Sequence, residues 1–276
     1  MQCSVMRSQS PRFKLIFCIL LSILLTACGS SSSNKASSSA GGISGNWQMS
    51  LQPSNPNWNP TSSSGFLLDN GGNVTGAMMF LDVACSGVGN VSGNVSGSTV
   101  AFSIAPTGLN MEFNGSLTQS STMSGNYTIL SAGCSGTTSS PQTGTWTANL
   151  VTPLNSSNLQ GTFVSKAGIT YQFTGSVSQG SNTGQSSGNL SGAVAVDAAT
   201  PYCFLTAANM SGSISGIGVV LNIFGSSGAQ IGQITGTTSI DGTLVTGTYR
   251  MLGLGTGAGV QAPCIHGDSG TVSFTL

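Results

Sequence analysis

The order of short motifs along this chain occurs twice, once in each half of the sequence. The matched pairs, in chain order, are "GNWQMSL" (45–51) with "QGTFVSK" (160–166), "GNVTGAMMFLDVAC" (72–85) with "GNLSGAVAVDAATPYC" (188–203), "SGNYTIL" (124–130) with "TGTYRML" (246–252), and "GTWTANL" (144–150) with "GTVSFTL" (270–276). A repeat of this length is a duplicated structural unit. The sequence therefore predicts two homologous units, 43–151 and 159–276, joined by a linker at 152–158.

Apolar residues alternate with polar ones in both units. In "LNMEFNGSLT" (109–118) the residues Leu109, Met111 and Phe113 share one face, and polar residues occupy the other. "ITYQFTGSVS" (169–178) has the same pattern. A period of two is typical of half-buried antiparallel strands. No segment of the units has a helical period, so we expect an all-β fold.

Eight strands are predicted in each unit, separated by turn signals such as "NGGN" at 70–73. The predicted ranges are 45–52, 65–69, 73–82, 90–97, 99–105, 109–118, 122–130 and 144–151 in unit one, and 159–165, 169–179, 187–197, 209–216, 218–225, 229–239, 244–252 and 267–276 in unit two.

Glycines recur on the apolar faces of these strands, for example Gly115, Gly175 and Gly247. An inward glycine lets a strand coil sharply or lets opposite walls approach, and both favour closure into a barrel. We therefore expect two tandem up-and-down β-barrels. A two-sheet sandwich is the alternative, although no tryptophan lies between the cysteines of either unit, as the immunoglobulin pattern would require.

An eight-strand meander that opens with Gly-x-Trp, at Gly45 to Trp47, resembles the calycin group, which includes lipocalins and avidins. Unit two has Phe163 in place of the tryptophan, and neither a biotin-site pattern nor a second lipocalin motif is present. The resemblance implies barrel topology and does not identify a ligand.

The first residues have the features of an export signal. Arg7, Arg12 and Lys14 precede an apolar run, 15–25, that is too short to anchor a chain in a bilayer. "LTAC", which ends at Cys28, resembles the lipobox of bacterial lipoproteins. That resemblance implies a signal peptide at 1–27, lipidation of Cys28, and a location in the bacterial cell envelope, at the outer membrane in a Gram-negative host. A Ser/Gly-rich tether, 28–42, follows.

Charged residues are very scarce. Without 1–27 the chain keeps three basic residues, Lys35, Lys166 and Arg250, against six acidic ones, which gives a net charge of −3. Such a chain lacks the basic surface that nucleic-acid binding requires, so we expect no nucleic-acid partner. The expected membrane contact is through the lipid on Cys28.

Four cysteines remain in the exported part besides Cys28. An even number of cysteines outside the cytoplasm predicts disulfides. Each repeat unit has one early and one late cysteine, so the pairs Cys85–Cys134 and Cys203–Cys264 are expected. Each disulfide would close a loop of the unfolded chain and so stabilise the fold by about 4 kcal/mol in the chain-entropy account.

"CIHGDSG" (264–270) resembles the segment around the nucleophilic serine of chymotrypsin-like proteases, which would make Ser269 the nucleophile. That mechanism needs a separate histidine base, and His266 is the only histidine in the chain. The repeat also assigns this segment to the last strand of unit two. A metal site at Cys264 and His266 would lack further histidine ligands. We therefore predict no catalytic residue, no metal and no cofactor in this segment or elsewhere in the two units.

The acidic residues are interpreted as turn and surface residues. Asp69 and Asp241 lie in turn-like contexts, where a carboxylate bonds locally to the backbone. Glu112 falls on the polar face of its strand. The remaining acidic residues of the two units are Asp82, Asp197 and Asp268.

The tryptophans have two expected roles. Trp47 and Trp146 fall on the apolar faces of the first and last strands of unit one, where we expect the two rings to pack together. Trp58 lies in a Pro/Asn-rich loop and is a possible recognition residue.

Three functions are compatible with this sequence. The favoured hypothesis is a non-catalytic, lipid-anchored binding module for a small apolar molecule or a surface macromolecule. A structural or adhesive envelope component is the second hypothesis, and a hydrolase with an unrecognised site is the third.

Overall fold

The computed structural model describes residues 42–57, 59–80, 87–106, 110–130, 142–180, 185–197, 202, 207–253 and 266–276. The strands in this part of the chain form two closed barrels, each with eight antiparallel strands in chain order. The predicted fold class, two tandem all-β barrels, is confirmed. Within the same ranges, no helical segment has the length and apolar character that crossing a bilayer requires.

Barrel 1 is an up-and-down meander that closes when its last strand pairs with its first. Its strands are β1 (Gly45–Pro53), β2 (Thr61–Asn70), β3 (Asn73–Phe80), β4 (Gly87–Ser96), β5 (Thr99–Ala105), β6 (Met111–Gln119), β7 (Thr122–Ile129) and β8 (Gln142–Val151).

Barrel 2 has the same topology and closes by pairing of its last strand with its first. Its strands are β9 (Asn155–Ser165), β10 (Thr170–Gln179), β11 (Gly188–Val196), β12 (Ala208–Ser215), β13 (Gly218–Phe224), β14 (Gln230–Thr238), β15 (Leu244–Met251) and β16 (Asp268–Thr275). The matching strand order supports the internal repeat.

Two strands begin four residues earlier than predicted, β2 and β9. Their first residues, "TSSS" and "NSSN", are polar on both faces, so the sequence shows no alternation there. Backbone pairing with β1 and β10 nevertheless continues through these residues. Ser63 is fully buried and donates a hydrogen bond to the Met79 carbonyl, which satisfies its hydroxyl.

Inward side chains fill the centre of barrel 1. Phe102 stacks on Phe113 with ring centroids 5.1 Å apart, and Trp146 meets these two rings edge-on at 5.6 and 5.9 Å. Aromatic pairs at these distances contribute about 0.5–1.5 kcal/mol each beyond the area they bury. The centre of this barrel is therefore a packed core.

The two inward tryptophans of barrel 1 do not pack together as expected. β1 and β8 are neighbours, but their register places Trp47 opposite Leu150 and Trp146 opposite Leu51. The two backbone positions are therefore offset by four residues along the strands, which is roughly 13 Å. The Trp47 indole instead donates to the Ile43 carbonyl at 2.8 Å.

Glycines on the inward faces permit very close approach of neighbouring strands. A Cβ at Gly212 would lie 1.9 Å from the Val220 carbonyl oxygen. Gly236 faces Gly247 in barrel 2, as Gly115 faces Gly125 in barrel 1. The missing side chains therefore allow tight coiling of the strands, as the sequence predicted.

The two barrels belong to one compact unit and touch through β1 and β2 of barrel 1. The Asn46 side chain, 2% exposed, donates to the Gly216 carbonyl at 2.8 Å and accepts from the Gly216 amide at 2.7 Å. Ser64 and Ser215 share a hydrogen bond of 2.8 Å. Phe66 packs against Gly188, where a Cβ would lie 2.7 Å from its ring.

Candidate functional site

One end of barrel 2 combines buried aromatic rings with a carboxylate. β9, β11, β13 and β15 finish at this end, and β10, β12, β14 and β16 begin there. We call this end the mouth of barrel 2. Two long connections, 197–207 and 252–267, join strands here, whereas short turns at 216–217 and 239–243 join strands at the opposite end.

Aromatic rings from the barrel wall enclose Tyr202, which comes from the connection between β11 and β12. Its ring centroid lies 4.1 Å from Tyr171, 5.9 Å from Phe163 and 6.2 Å from Tyr249. Only 1% of Tyr202 is exposed. The wall of the mouth therefore surrounds a phenol ring that is not part of any strand.

Asp268 supplies the polar partner of that ring. Its Oδ2 accepts a hydrogen bond from the Tyr202 hydroxyl at 2.6 Å and from the Tyr249 hydroxyl at 2.7 Å. Its Oδ1 accepts from the Ser269 amide at 2.8 Å. Hydrogen bonds to a charged acceptor are about twice as strong as neutral ones, so this carboxylate orients both phenols.

The phenols of the mouth are held in their neutral form. Burial raises the pKa of Tyr202 and of Tyr249 well above the usual value, and the bond to the Asp268 carboxylate raises each further. Burial also raises the pKa of Tyr171, and the charge of Asp268 adds to the effect. These groups therefore act as hydrogen-bond donors at neutral pH and are unsuited to accept protons.

The alternation of β15 and β16 explains the placement of these residues. Tyr249 shares the inward face of β15 with Val245. Asp268 is in phase with Val272 and Phe274, the inward residues of β16. The sequence analysis missed Asp268 because it interpreted the acidic residues as turn and surface residues. Its spacing of four and six residues from Val272 and Phe274 could have indicated an inward position.

Barrel 1 has a different, uncharged pair at the equivalent position. Tyr127 lies opposite Gly144, as Tyr249 lies opposite Gly270, so Gln142 corresponds to Asp268. The side chain of Gln142 is hydrogen-bonded to Tyr127 and lowers its pKa, while burial, the larger effect, raises it. The repeat units therefore differ in charge at this point.

Several acidic residues have the local roles that the sequence predicted. Asp69 accepts from the Gly72 amide at 2.7 Å in the β2–β3 turn. Asp241 accepts from Ser239 and Thr243 in the β14–β15 turn, and these bonds lower its pKa. Glu112 is exposed on β6.

The residues around "CIHGDSG" lie where the repeat placed them. Ser269 lies in β16 opposite Arg250 of β15, and its carbonyl accepts a hydrogen bond from the Lys166 amide at 3.0 Å. His266 is exposed. In the ranges the structure covers, no group of three or more His, Cys, Asp or Glu side chains could hold a metal ion.

The site residues predicted from the sequence lie outside the described residues. They are Cys28, Trp58, Cys85, Cys134, Cys203 and Cys264, and Asp82 also lies outside. Both predicted disulfides therefore stay predictions. The flanking strand ends are compatible with them, because Phe80 and Ile129 finish at one end of barrel 1, and Val196 and Met251 both finish at the mouth of barrel 2.

Two closed eight-stranded meander barrels in tandem fit a calycin-like fold. No protein-family model and no curated protein sequence matches the chain. Among solved structures, a kievitone hydratase from Nectria haematococca is similar at 8% identity over 84% of this chain and 89% of that one, with a TM-score of 0.24.

Proposed function

We propose that this protein is a non-catalytic binding module of the bacterial cell envelope that takes a small, largely apolar ligand at the mouth of barrel 2. The observation that carries the proposal is the enclosure of the Tyr202 ring by Phe163, Tyr171 and Tyr249, with its hydroxyl on Asp268. Ligand sites of this kind are mostly apolar, with a few polar groups that set orientation.

Tyr202 acts as an internal occupant of the proposed site. It does not belong to a strand, so the barrel closes without it. The walls that contact it offer aromatic rings with centroids at 4.1 to 6.2 Å and one strong hydrogen-bond acceptor. A ligand with an aromatic ring and a hydroxyl donor would make the same contacts in its place.

The difference in charge between Asp268 of barrel 2 and its counterpart Gln142 of barrel 1 favours barrel 2. Gln142 in barrel 1 offers both a donor and an acceptor, whereas the Asp268 carboxylate only accepts. A hydroxyl donor therefore gains a charge-assisted bond only in barrel 2.

The test is a calorimetric titration of the purified mature protein with p-cresol, which is the tyrosine side chain as a free molecule. We expect weak binding to the wild-type protein, because the internal ring competes. Tyr202→Ala should bind p-cresol at least tenfold more tightly, since a competing state no longer lowers the apparent affinity. Toluene, which lacks the hydroxyl, should bind Tyr202→Ala at least tenfold more weakly than p-cresol.

Matched variants separate ligand binding from loss of structure. Tyr202→Phe keeps the ring in place and should bind p-cresol much less tightly than Tyr202→Ala. Adding Asp268→Asn to Tyr202→Ala should remove the preference for p-cresol over toluene. Circular dichroism identifies the variants that remain folded, and a folded Tyr202→Ala that binds no p-cresol overturns the proposal.

The anchoring of this module is a separate part of the proposal. Acylation at Cys28 would hold the barrels at a membrane surface, at the outer membrane in a Gram-negative cell. Several acyl chains give a durable anchor at about 0.8 kcal/mol per buried methylene. Labelling cells with a radioactive fatty acid should mark the wild-type protein and not Cys28→Ser, and an equally labelled Cys28→Ser would contradict this assignment.

A further inference from the structure

The Lys and Arg residues of the described part of the chain all lie at the mouth of barrel 2. They are Lys166, which directly follows β9, and Arg250, the next-to-last residue of β15. β15, β16 and β9 are consecutive around the closed sheet. In a chain with so few charged residues, the positive charge of the barrels is therefore concentrated at one end of one barrel.

Arg250 and Lys166 belong to one cross-strand row on the outer surface. Ser269 of β16 lies opposite Arg250, and the Lys166 amide donates to the Ser269 carbonyl at 3.0 Å. The two cationic residues are thus two strand spacings apart, about 10 Å at the backbone. Both are exposed, and neither side chain has an ion-pair or hydrogen-bond partner in the ranges that the structure covers.

The carboxylates of the mouth are not ion-paired with these cations within the described ranges. Asp268 is inward, and its Oδ2 accepts from two phenols. Asp197 is exposed, but its amide donates to the Gln172 carbonyl, and Gln172 pairs with Thr162 of β9. That row is four residues along β9 from Lys166, roughly 13 Å. Both cations therefore remain available to an anionic partner.

Two exposed apolar side chains flank the cationic row. Leu252, 40% exposed, follows β15 in phase with Arg250. Ile169, 51% exposed, lies in the turn after Lys166. Ser165 holds this turn, because its hydroxyl accepts from the Ile169 amide at 3.1 Å and its amide donates to the Ile169 carbonyl at 2.8 Å. We call Lys166, Ile169, Arg250 and Leu252 the rim of the mouth.

The rim combines cations with exposed apolar residues, and the other exposed large apolar residues of the described part lie elsewhere. They are Ile240 and Leu244 at the opposite end of barrel 2, and Val88 and Leu130 on barrel 1. The opposite end of barrel 2 is also the end that contacts barrel 1, through Gly216 and Asn46. The rim is therefore accessible to a large, flat partner.

We propose that the rim of the mouth binds the surface of an anionic phospholipid bilayer. Each Lys or Arg near such a surface strengthens binding about fivefold. Exposed apolar side chains gain by entering the boundary between the headgroups and the acyl chains. A soluble anion would engage the cations and leave Ile169 and Leu252 in water, so the combination favours a bilayer.

This contact does not rest on the ligand site or on the acyl chains at Cys28. It would, however, hold the mouth of barrel 2 against the phase in which an apolar ligand dissolves. Uptake of the ligand could then proceed from the bilayer without passage through water.

The test is sedimentation with vesicles of the purified mature protein carrying Cys28→Ser, which has no acyl chain. One set of vesicles contains phosphatidylglycerol and phosphatidylcholine in equal parts, and the other contains phosphatidylcholine alone. We expect binding to the mixed vesicles to be at least about tenfold tighter, because two cations contribute. Added sodium chloride should weaken this binding by screening the charges.

Charge variants assign the binding to the rim. Lys166→Gln and Arg250→Gln should each weaken binding to the mixed vesicles about fivefold, and the double variant at least about tenfold. Thr75→Glu is the matched control, because it lowers the net charge by one, as Lys166→Gln does, at an exposed residue of barrel 1. It should bind as the parent protein does.

Leu252→Ser and Leu244→Ser test the apolar contribution. The two leucines are 40% and 39% exposed and share the outer face of β15, but they lie at its opposite ends. Leu252→Ser should weaken binding to the mixed vesicles at least about threefold, and Leu244→Ser should not change it. Circular dichroism identifies the variants that remain folded.

Four results would overturn the proposal. They are equal binding to both kinds of vesicle, unchanged binding by the folded Lys166→Gln and Arg250→Gln double variant, equal binding by Leu252→Ser and Leu244→Ser, and binding of alginate, an anionic polymer without an apolar phase, as tight as that of the mixed vesicles. Tyr202→Ala should leave vesicle binding unchanged, and the double charge variant should leave p-cresol binding by Tyr202→Ala unchanged. The bilayer contact and the p-cresol site can therefore fail separately.

Discussion

Asp268 is a residue at which the two repeat units differ in charge. Its counterpart Gln142 is neutral, and both face an inward tyrosine of the preceding strand. The carboxylate binds Tyr202 and Tyr249 together, which ties a connecting segment to the wall of barrel 2. The first residue of β16 is therefore charged in barrel 2, whereas its counterpart in barrel 1 is neutral.

Ionisation of the tyrosines should destabilise the fold at high pH. The chain has four tyrosines, and burial raises the pKa of each. The unfolded chain therefore loses phenolic protons first as pH rises. The protonated phenols stabilise the folded state fully below about pH 10, which is the pKa of tyrosine in the unfolded chain. This stabilisation is lost as pH rises toward the higher pKa values of the folded state.

We expect tyrosine absorbance at 295 nm and far-ultraviolet circular dichroism to change together in one alkaline step. Tyr249→Phe removes one of the shifted groups and should make the step less steep. Ionisation of all four tyrosines well before the loss of circular dichroism would contradict this account.

At the scale of the strands, glycine determines how closely β12 and β13 approach. Gly212→Ala would place a Cβ 1.9 Å from the Val220 carbonyl oxygen, which the ladder cannot accommodate without moving. Because overpacking costs about 1–3 kcal/mol and this contact involves backbone, we expect a loss of about 3 kcal/mol in the free energy of unfolding. Denaturant unfolding followed by circular dichroism measures it.

Gly218→Ala is the matched control. Gly218 begins β13 and is exposed, and a Cβ there would lie 3.4 Å from its nearest neighbour, the Ser215 carbonyl oxygen. We expect a change within about 0.5 kcal/mol. If Gly212→Ala and Gly218→Ala lowered the free energy of unfolding equally, the close approach of β12 and β13 would not be the reason for a glycine at 212.

The connections between strands carry the predicted disulfides. Peptide mapping without reduction should find Cys85 linked to Cys134 and Cys203 linked to Cys264, because each pair of connections starts from the same end of one barrel. Reduction should then lower the free energy of unfolding by about 2–5 kcal/mol. A link such as Cys134–Cys203 would refute the prediction that each unit has its own bridge.

At the scale of the whole molecule, a few buried contacts couple the barrels. Asn46→Ala leaves the amide and carbonyl of Gly216 without their partner, which costs about 1–3 kcal/mol for a buried group. Adding Phe66→Ala removes the ring that packs on Gly188. We expect calorimetry to show one transition for the wild-type protein and two for the double variant.

A double variant with Asn114→Ala and Phe80→Ala is the control for the Asn46→Ala and Phe66→Ala double variant. Asn114 is an exposed residue of β6, and Phe80 is buried in the core of barrel 1. These changes should lower the stability of barrel 1 without the loss of coupling that Asn46→Ala and Phe66→Ala cause. Two separate transitions in the wild-type protein would show that the barrels unfold independently.

The amino-acid sequence by itself determined the strands, the repeat and the barrel architecture. These properties follow from local patterns: alternation places apolar side chains on one face, inward glycines such as Gly115 and Gly247 permit coiling, and duplicated motifs repeat the unit. The starts of β2 and β9 were predicted four residues too late, because their first residues are polar on both faces and show no alternation.

The tertiary structure alone decided which residues meet. Trp47 and Trp146 are on neighbouring strands, yet their register keeps them apart. Tyr202 reaches Asp268 across 66 residues of chain, and Asn46 reaches Gly216 across 170. The physical reason is that a period of two fixes the face of a residue but not its height in the barrel, which depends on the summed register of every strand pair around the closed sheet.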